Sequence, residues 1–135
     1  WLNYYMKTIF EKIIDREIAA DIVYEDDISI AFLVIHPQSK GHLIVVPKIP
    51  YGRVHLVPDD VLAKLMIISK KIIIAMMKGL SCDYVQVEMV GLGVPEHFHI
   101  HLVPRMESDH IPESPYQEYE NSEKESYVSN IKNAL

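Results

Sequence analysis

The sequence predicts an α+β domain: an antiparallel sheet of about five strands carrying one long helix and a short N-terminal helix. Three observations predict it. Short runs rich in β-branched residues, such as "ISIAFLVI" and "HLIVVPK", are joined by Pro/Gly/Ser turns. One long apolar stretch, "VLAKLMIISKKIIIAMMKGL", is broken only by Ser69 and by Lys64, Lys70, Lys71 and Lys78. The elements follow the order helix, strands, long helix, strands, and at 135 residues the chain is long enough for one real core.

Each element has a local reason. "TIFEKIIDREI" (8–18) carries apolar residues at 9, 10, 13 and 14, the stripe of a short amphipathic helix. "DIVYEDD" reads as a strand ending in an acidic turn. "ISIAFLVI" (28–35) and "HLIVVPK" (42–48) flank the turn "HPQSKG" and make an antiparallel hairpin. The long helix starts at an Asp pair, runs Asp59 to Lys78 and takes Gly79 as its stop signal. "DYVQVEMVG" alternates as a strand with Val85, Val87 and Met89 on one face, "LGVPE" is a loop, and "HFHIHLV" is a further strand. The polar tail contains Pro112 and Pro115 and closes with a helix near "SEKESYVSNIKNAL". The domain is expected over 6–110, with 111–135 a C-terminal extension and 1–5 an N-terminal one ahead of Met6.

Composition excludes several function classes. Apolar residues make up 49% and charged residues 24%, as in ordinary globular domains. A net charge of −6 argues against nucleic acid as partner but leaves room for a small anion in a locally positive pocket. The lysine-broken apolar stretch reads as a buried helix, so no membrane partner is expected. Cys82, the sole cysteine, can form neither an internal disulfide nor a cysteine-rich metal site. With no secretory signal visible, a cytoplasmic location is expected.

The chemistry concentrates in "HFHIHLVPR" (97–105). Strand geometry sends His97, His99 and His101 to one face and Phe98, Ile100 and Leu102 to the other. Three readings of that row compete. A merely exposed strand face would leave each half-buried ring needing a partner. A metal centre would require the outer rings, roughly 13 Å apart at Cα, to converge on one ion. Nucleophilic chemistry needs a neutral imidazole with its tautomer fixed by neighbours. The Gly91-Leu92-Gly93-Val94 stretch before the row could offer backbone N–H groups to phosphate oxygens, which favours phosphate chemistry.

"HFHIHLV" also resembles the His-x-His-x-His motif of the histidine triad (HIT) family of nucleotide hydrolases and transferases. "TIFEKIIDREIAADIVYEDDISIAF" and "IHPQSKGHLIVVPK" look like segments of its Hint branch, so the resemblance covers most of residues 8–105. It implies a HIT-like fold and a homodimer binding a purine nucleotide or nucleotide conjugate. It further implies cleavage at the α-phosphate of phosphoramidates or dinucleoside polyphosphates, with no cofactor or metal. His99 would be the nucleophile, forming a nucleotidyl-histidine intermediate. His97 and His101 would orient it, and His42 would support the site. Ile9, Phe10, Ile13 and Ile35 would enclose the base, and Leu92, Gly93 and Val94 would line the phosphate. His36, His55 and His110 match nothing in the motif, and Glu96 is expected to face away from the rings.

The chain departs from the family in three places. Val34 stands where many relatives bind the ribose diol through an acidic residue, and "GLGVPEH" lacks the Gln-Ser/Thr pair that assists the leaving group. Thr8 and Glu11 stand where some relatives place two zinc-binding cysteines. The alternative function is therefore a nucleotide-binding or scaffold protein of HIT fold with little turnover.

Overall fold

The computed structural model describes residues 6–90, 96–109 and 116–135. The short first helix, α1 (Ile9–Ile14), is set by a capping box at its start. The Thr8 hydroxyl accepts from the Glu11 N–H at 3.1 Å, and the Glu11 carboxylate accepts from the Thr8 N–H at 3.0 Å. It ends with the apolar stripe at Ile14, short of the full 8–18 segment, and Arg16 turns into the left-handed region at φ +62°.

Strands β1 (Ile22–Glu25) and β2 (Ser29–Leu33) meet at a turn held by Asp26, whose carboxylate accepts from the N–H groups of Ile28 and Ser29 at 2.8 Å. β3 (Leu43–Pro47) pairs back on β2 in the hairpin that the turn residues predicted. β4 (Tyr84–Glu88) and β5 (Ile100–Arg105) complete an antiparallel sheet of five strands in the order β1-β2-β3-β5-β4. The α+β class and the five-stranded sheet are as expected.

All five residues of β2 and of β3 are buried, since the sheet is covered on both faces. On one face Ala31, Leu33, Leu43, Val45, Ile100 and Leu102 pack under the long helix α2 (Asp59–Leu80), against its Leu65, Ile72, Ala75 and Met76. On the other, Ile30, Phe32, Ile44 and Val46 pack against Phe10 and Ile13 of α1. β4 is an edge strand: Val85 packs on the core, but Val87 and Met89 are 42% and 48% exposed.

Gly79 does not stop α2. The helix continues to Leu80 and ends at Ser81, which takes the left-handed cap conformation at φ +53°. Gly79 serves another purpose: a Cβ there would lie 2.2 Å from the backbone oxygen of Asn130 on α3 (Glu123–Ala134). The glycine lets the two helices touch. The C-terminal extension thus returns to the domain, with Ile131 fully buried in the α2-side core. On its way it fastens the 37–41 turn. The Gln117 N–H donates to the Pro37 carbonyl, the Gln117 side-chain oxygen accepts from the Lys40 N–H, and the Tyr119 hydroxyl accepts from the Gly41 N–H, at 2.8 to 3.0 Å.

This contact supplies a direct stability test. Gly79→Ala should force α3 away from α2 and destabilise the protein by about 1–3 kcal/mol, the usual cost of overpacking. Urea denaturation followed by circular dichroism measures it, and an unchanged midpoint would mean the helices do not meet there.

Candidate active site

The site lies on the α1 side of the sheet. His101 is opposite Ile44 in the β3–β5 register and opposite Glu88 in the β4–β5 register. β3 and β5 stop pairing at Val45–Ile100, and just before that point in the chain His97 and His99 approach under α1. Phe98, Ile100 and Leu102 occupy the other face, buried with α2, as strand alternation required.

The hydrogen bonds determine which nitrogen carries each proton. His97 is fully buried, and its Nε2–H donates to the Pro47 carbonyl at 2.8 Å. The neutral ring therefore has an acceptor at Nδ1, and the Thr8 hydroxyl donates to it at 2.7 Å while accepting the Glu11 N–H. Both nitrogens of His97 are committed, so this ring has no lone pair for a metal. His99 donates from Nδ1–H to the backbone carbonyl of His97 at 2.8 Å, which leaves its Nε2 lone pair free. His99 is partly exposed, so that lone pair has a route to a ligand.

The second half of the site starts at the hairpin turn. The Gln38 N–H donates to His42 Nδ1 at 3.1 Å, so neutral His42 holds its proton on Nε2. That Nε2–H donates to His101 Nδ1 at 2.9 Å, and His101 in turn carries its proton on Nε2. Burial, the neighbouring His101 and the charge of Arg105 push the His42 pKa down to about 3. Burial also holds His97 and His101 below the usual histidine range, with the nearness of the His99 imidazole adding to it. The His99 and His101 rings meet edge to face with centroids 4.9 Å apart, and Phe10 closes on His99 at 5.0 Å and His97 at 5.4 Å.

The predicted residues divide as follows. His97, His99, His101, His42 and Phe10 come together, and Ile13 is buried just behind them. Ile9 is 44% exposed at the same helix, whereas Ile35 is 71% exposed and stands clear of the packed cluster. Leu92, Gly93, Val94 and His110 lie outside the described residues. His36 and His55 are exposed, and Glu96, with its side chain 71% exposed, reaches toward Arg53. Val34 lies on the histidine face, packed against the α1-side cluster, with its N–H donating to the His42 carbonyl at 3.1 Å.

Sequence reading missed the parts of Thr8, Pro47 and Gln38 in this network. The Thr8-x-x-Glu11 cap was legible as a pattern, but its second use, on a ring 89 residues later, was not. Among the described residues no helix is long and apolar enough to cross a membrane.

Comparison with known proteins gives one answer. The HIT domain model matches residues 15–108. A HIT-like protein of Methanocaldococcus jannaschii is 42% identical over 106 residues, 75% of this chain and 81% of that one. The crystal structure of a Hit-like protein involved in cell-cycle regulation from Bartonella henselae, solved with an unknown ligand, superposes with a TM-score of 0.85. It is 31% identical, with 98% of each chain covered. The structure of a hypothetical histidine triad nucleotide-binding protein from Sulfolobus tokodaii superposes at 0.78, with 27% identity, 93% of this chain and 89% of that one covered.

The buried neutral His42 sets a pH dependence. Its pKa is depressed on folding, so below about pH 6.5 the unfolded chain binds a proton that the folded one refuses. Stability should therefore fall as pH drops from about 6.5 toward 3, by up to about 1.4 kcal/mol per pH unit for this ring. His97 and His101 act in the same direction. Denaturation midpoints between pH 7 and 4 should show a shallower slope in His42→Asn than in wild type; equal slopes would mean His42 is not buried neutral.

Proposed function

Because the chain belongs to the HIT domain family, we propose that it is a nucleotide-binding hydrolase or transferase that cleaves purine nucleotide conjugates at the α-phosphate. The observation that carries this reading is the state of His99: one nitrogen held as a donor, the other free, in a ring flanked by neutral partners. In the first step the Nε2 lone pair attacks the α-phosphorus and forms a P–N bond. The bond to the leaving amine or phosphate breaks, and the leaving group takes the electron pair. The ring becomes cationic, and its Nδ1–H bond to the His97 carbonyl becomes charge-assisted and stronger. The departing group takes a proton from His101 Nε2. Water then attacks the same phosphorus and gives a proton back to that nitrogen. The P–N bond breaks with its electron pair returning to His99 Nε2 as the nucleoside monophosphate leaves.

The neighbours have distinct parts in this reading. His101 turns an Nε2–H toward the site, a donor for a phosphoryl oxygen or for the departing group. His42 holds His101 in that form, and His97 presents the carbonyl that fixes His99. Ile9, Phe10 and Ile35 flank the base, with Ile13 packed behind Phe10, and Leu92, Gly93 and Val94 are assigned to the phosphate. The substrates are nucleoside phosphoramidates or dinucleoside polyphosphates. The protein works as a cytoplasmic homodimer. Exposed Ile67 and Ile74 on α2, at 67% and 50%, together with Val87 at the sheet edge, support an apolar contact with a second copy.

One observation favours a second reading, a nucleotide-binding scaffold with little turnover. Val34 offers no acceptor where a ribose diol would need one. Val34→Asp should then tighten binding of adenosine or guanosine monophosphate by one or two charge-assisted hydrogen bonds, each about 1.5–3 kcal/mol. Calorimetric titration decides this, and an unchanged or weaker affinity would remove Val34 from the ribose site.

Turnover separates the two readings. With a labelled purine nucleoside phosphoramidate, acid quench should trap label on wild-type protein and none on His99→Ala, while His97→Ala and His101→Ala slow turnover yet still trap it. Label on another residue, or equal rates in wild type and His99→Ala, would sink the nucleophile assignment.

A further inference from the structure

Arg105 ends the histidine strand and has no part in the mechanism above, yet it is only 4% exposed. Buried cations ordinarily face a carboxylate. Here Nε donates to the side-chain oxygen of Gln86 and Nη2 to that of Gln38, both at 2.9 Å, and among the described residues no carboxylate pairs with it directly. The Gln86 amide passes on to Glu88 through a long 3.4 Å contact, and Glu88 lies opposite His101. The other arm reaches the turn whose Gln38 N–H donates to His42 Nδ1.

We propose that Arg105 is a positioning residue for the histidine pair: its fork clamps Gln38, and the clamped turn fixes the direction of the hydrogen bond from His42 to His101. The alternative direction shows why this matters. If the Gln38 N–H moved away, His42 could carry its proton on Nδ1 and accept at Nε2 from a His101 Nδ1–H. His101 would then show a lone pair to the site where it now shows a donor. A neutral amide oxygen suits the clamp better than a carboxylate would, because it leaves the arginine charge uncancelled and so opposes protonation of His42. The consequence for turnover rests on the function proposed above; the consequence for the rings does not.

The test reads the rings directly. Long-range proton–nitrogen correlation spectra of ¹⁵N-labelled, ligand-free protein at neutral pH should show His42 and His101 protonated at Nε2 alone. Arg105→Met and Gln38→Ala should each show both tautomers at one or both rings. In turnover assays kcat should fall about tenfold while KM stays within about twofold, the pattern of a group that acts on the transition state. Gln38→Ala retains the backbone N–H and changes a partly exposed side chain, so it gives a reading even if Arg105→Met does not fold. A single Nε2–H form of both rings in a folded variant would overturn the proposal, as would wild-type rings in the opposite form. A wild type that turns over no phosphoramidate but shows the expected rings would remove the proposed reaction and leave the clamp standing.

Discussion

The hydrogen bond from His97 Nε2 to the Pro47 carbonyl lies where the backbone pairing of β3 and β5 has ended. From it the arrangement of the first half of the site follows. It forces Nδ1 of a neutral ring to accept, so the Thr8 hydroxyl has an acceptor and α1 is held over the sheet. The His97 carbonyl, which accepts from the His99 Nδ1–H, belongs to a peptide whose Phe98 N–H donates to the Tyr51 carbonyl at 2.6 Å. A side chain thus continues the cross-strand connection that the main chain has given up. Loss of this bond would leave a buried donor unmet and remove the constraint that makes Nδ1 the acceptor for Thr8.

The two halves of the site are fixed by different parts of the fold. His97 and His99 are tied to α1 and the end of β3, while His42 and His101 are tied to the hairpin turn. That turn is itself held by the C-terminal segment through Gln117 and Tyr119. The burial of both sheet faces makes the join rigid, because no residue of β2 or β3 can shift without disturbing one of two cores. Neutrality has the same origin. His42, His97 and His101 are held toward the neutral form because packing withholds water from them.

Much of the architecture was legible because it depends on local periodicity. The alternation of "HFHIHLV" placed three imidazoles on one face, and the turn "HPQSKG" predicted the hairpin. Gly79 misled for a physical reason. A glycine near a helix end ordinarily supplies left-handed backbone, but here its missing side chain is what matters, and the neighbour that needs the space arrives some 50 residues later. His42 was found through resemblance alone, since a lone histidine at a strand start carries no signal of its own. Thr8 and the Pro47 carbonyl escaped because each acts on His97 from far along the chain. Gln38, only four residues from His42, escaped because it acts through a backbone N–H that any residue but proline could provide.

The six-residue length of α1 has a consequence for how the molecule breathes. So short a helix has almost no stability of its own and stays in place through Phe10, Ile13 and the Thr8 hydroxyl. β2 and β3, enclosed on both sides, belong to the part that opens only on global unfolding. The histidines therefore lie between a short helix held by side-chain contacts and a sheet buried on both faces. Lifting α1 alone would uncover His97 and His99 from above while His42 and His101 kept their places, so access to the His99 ring is governed by a local opening cheaper than unfolding.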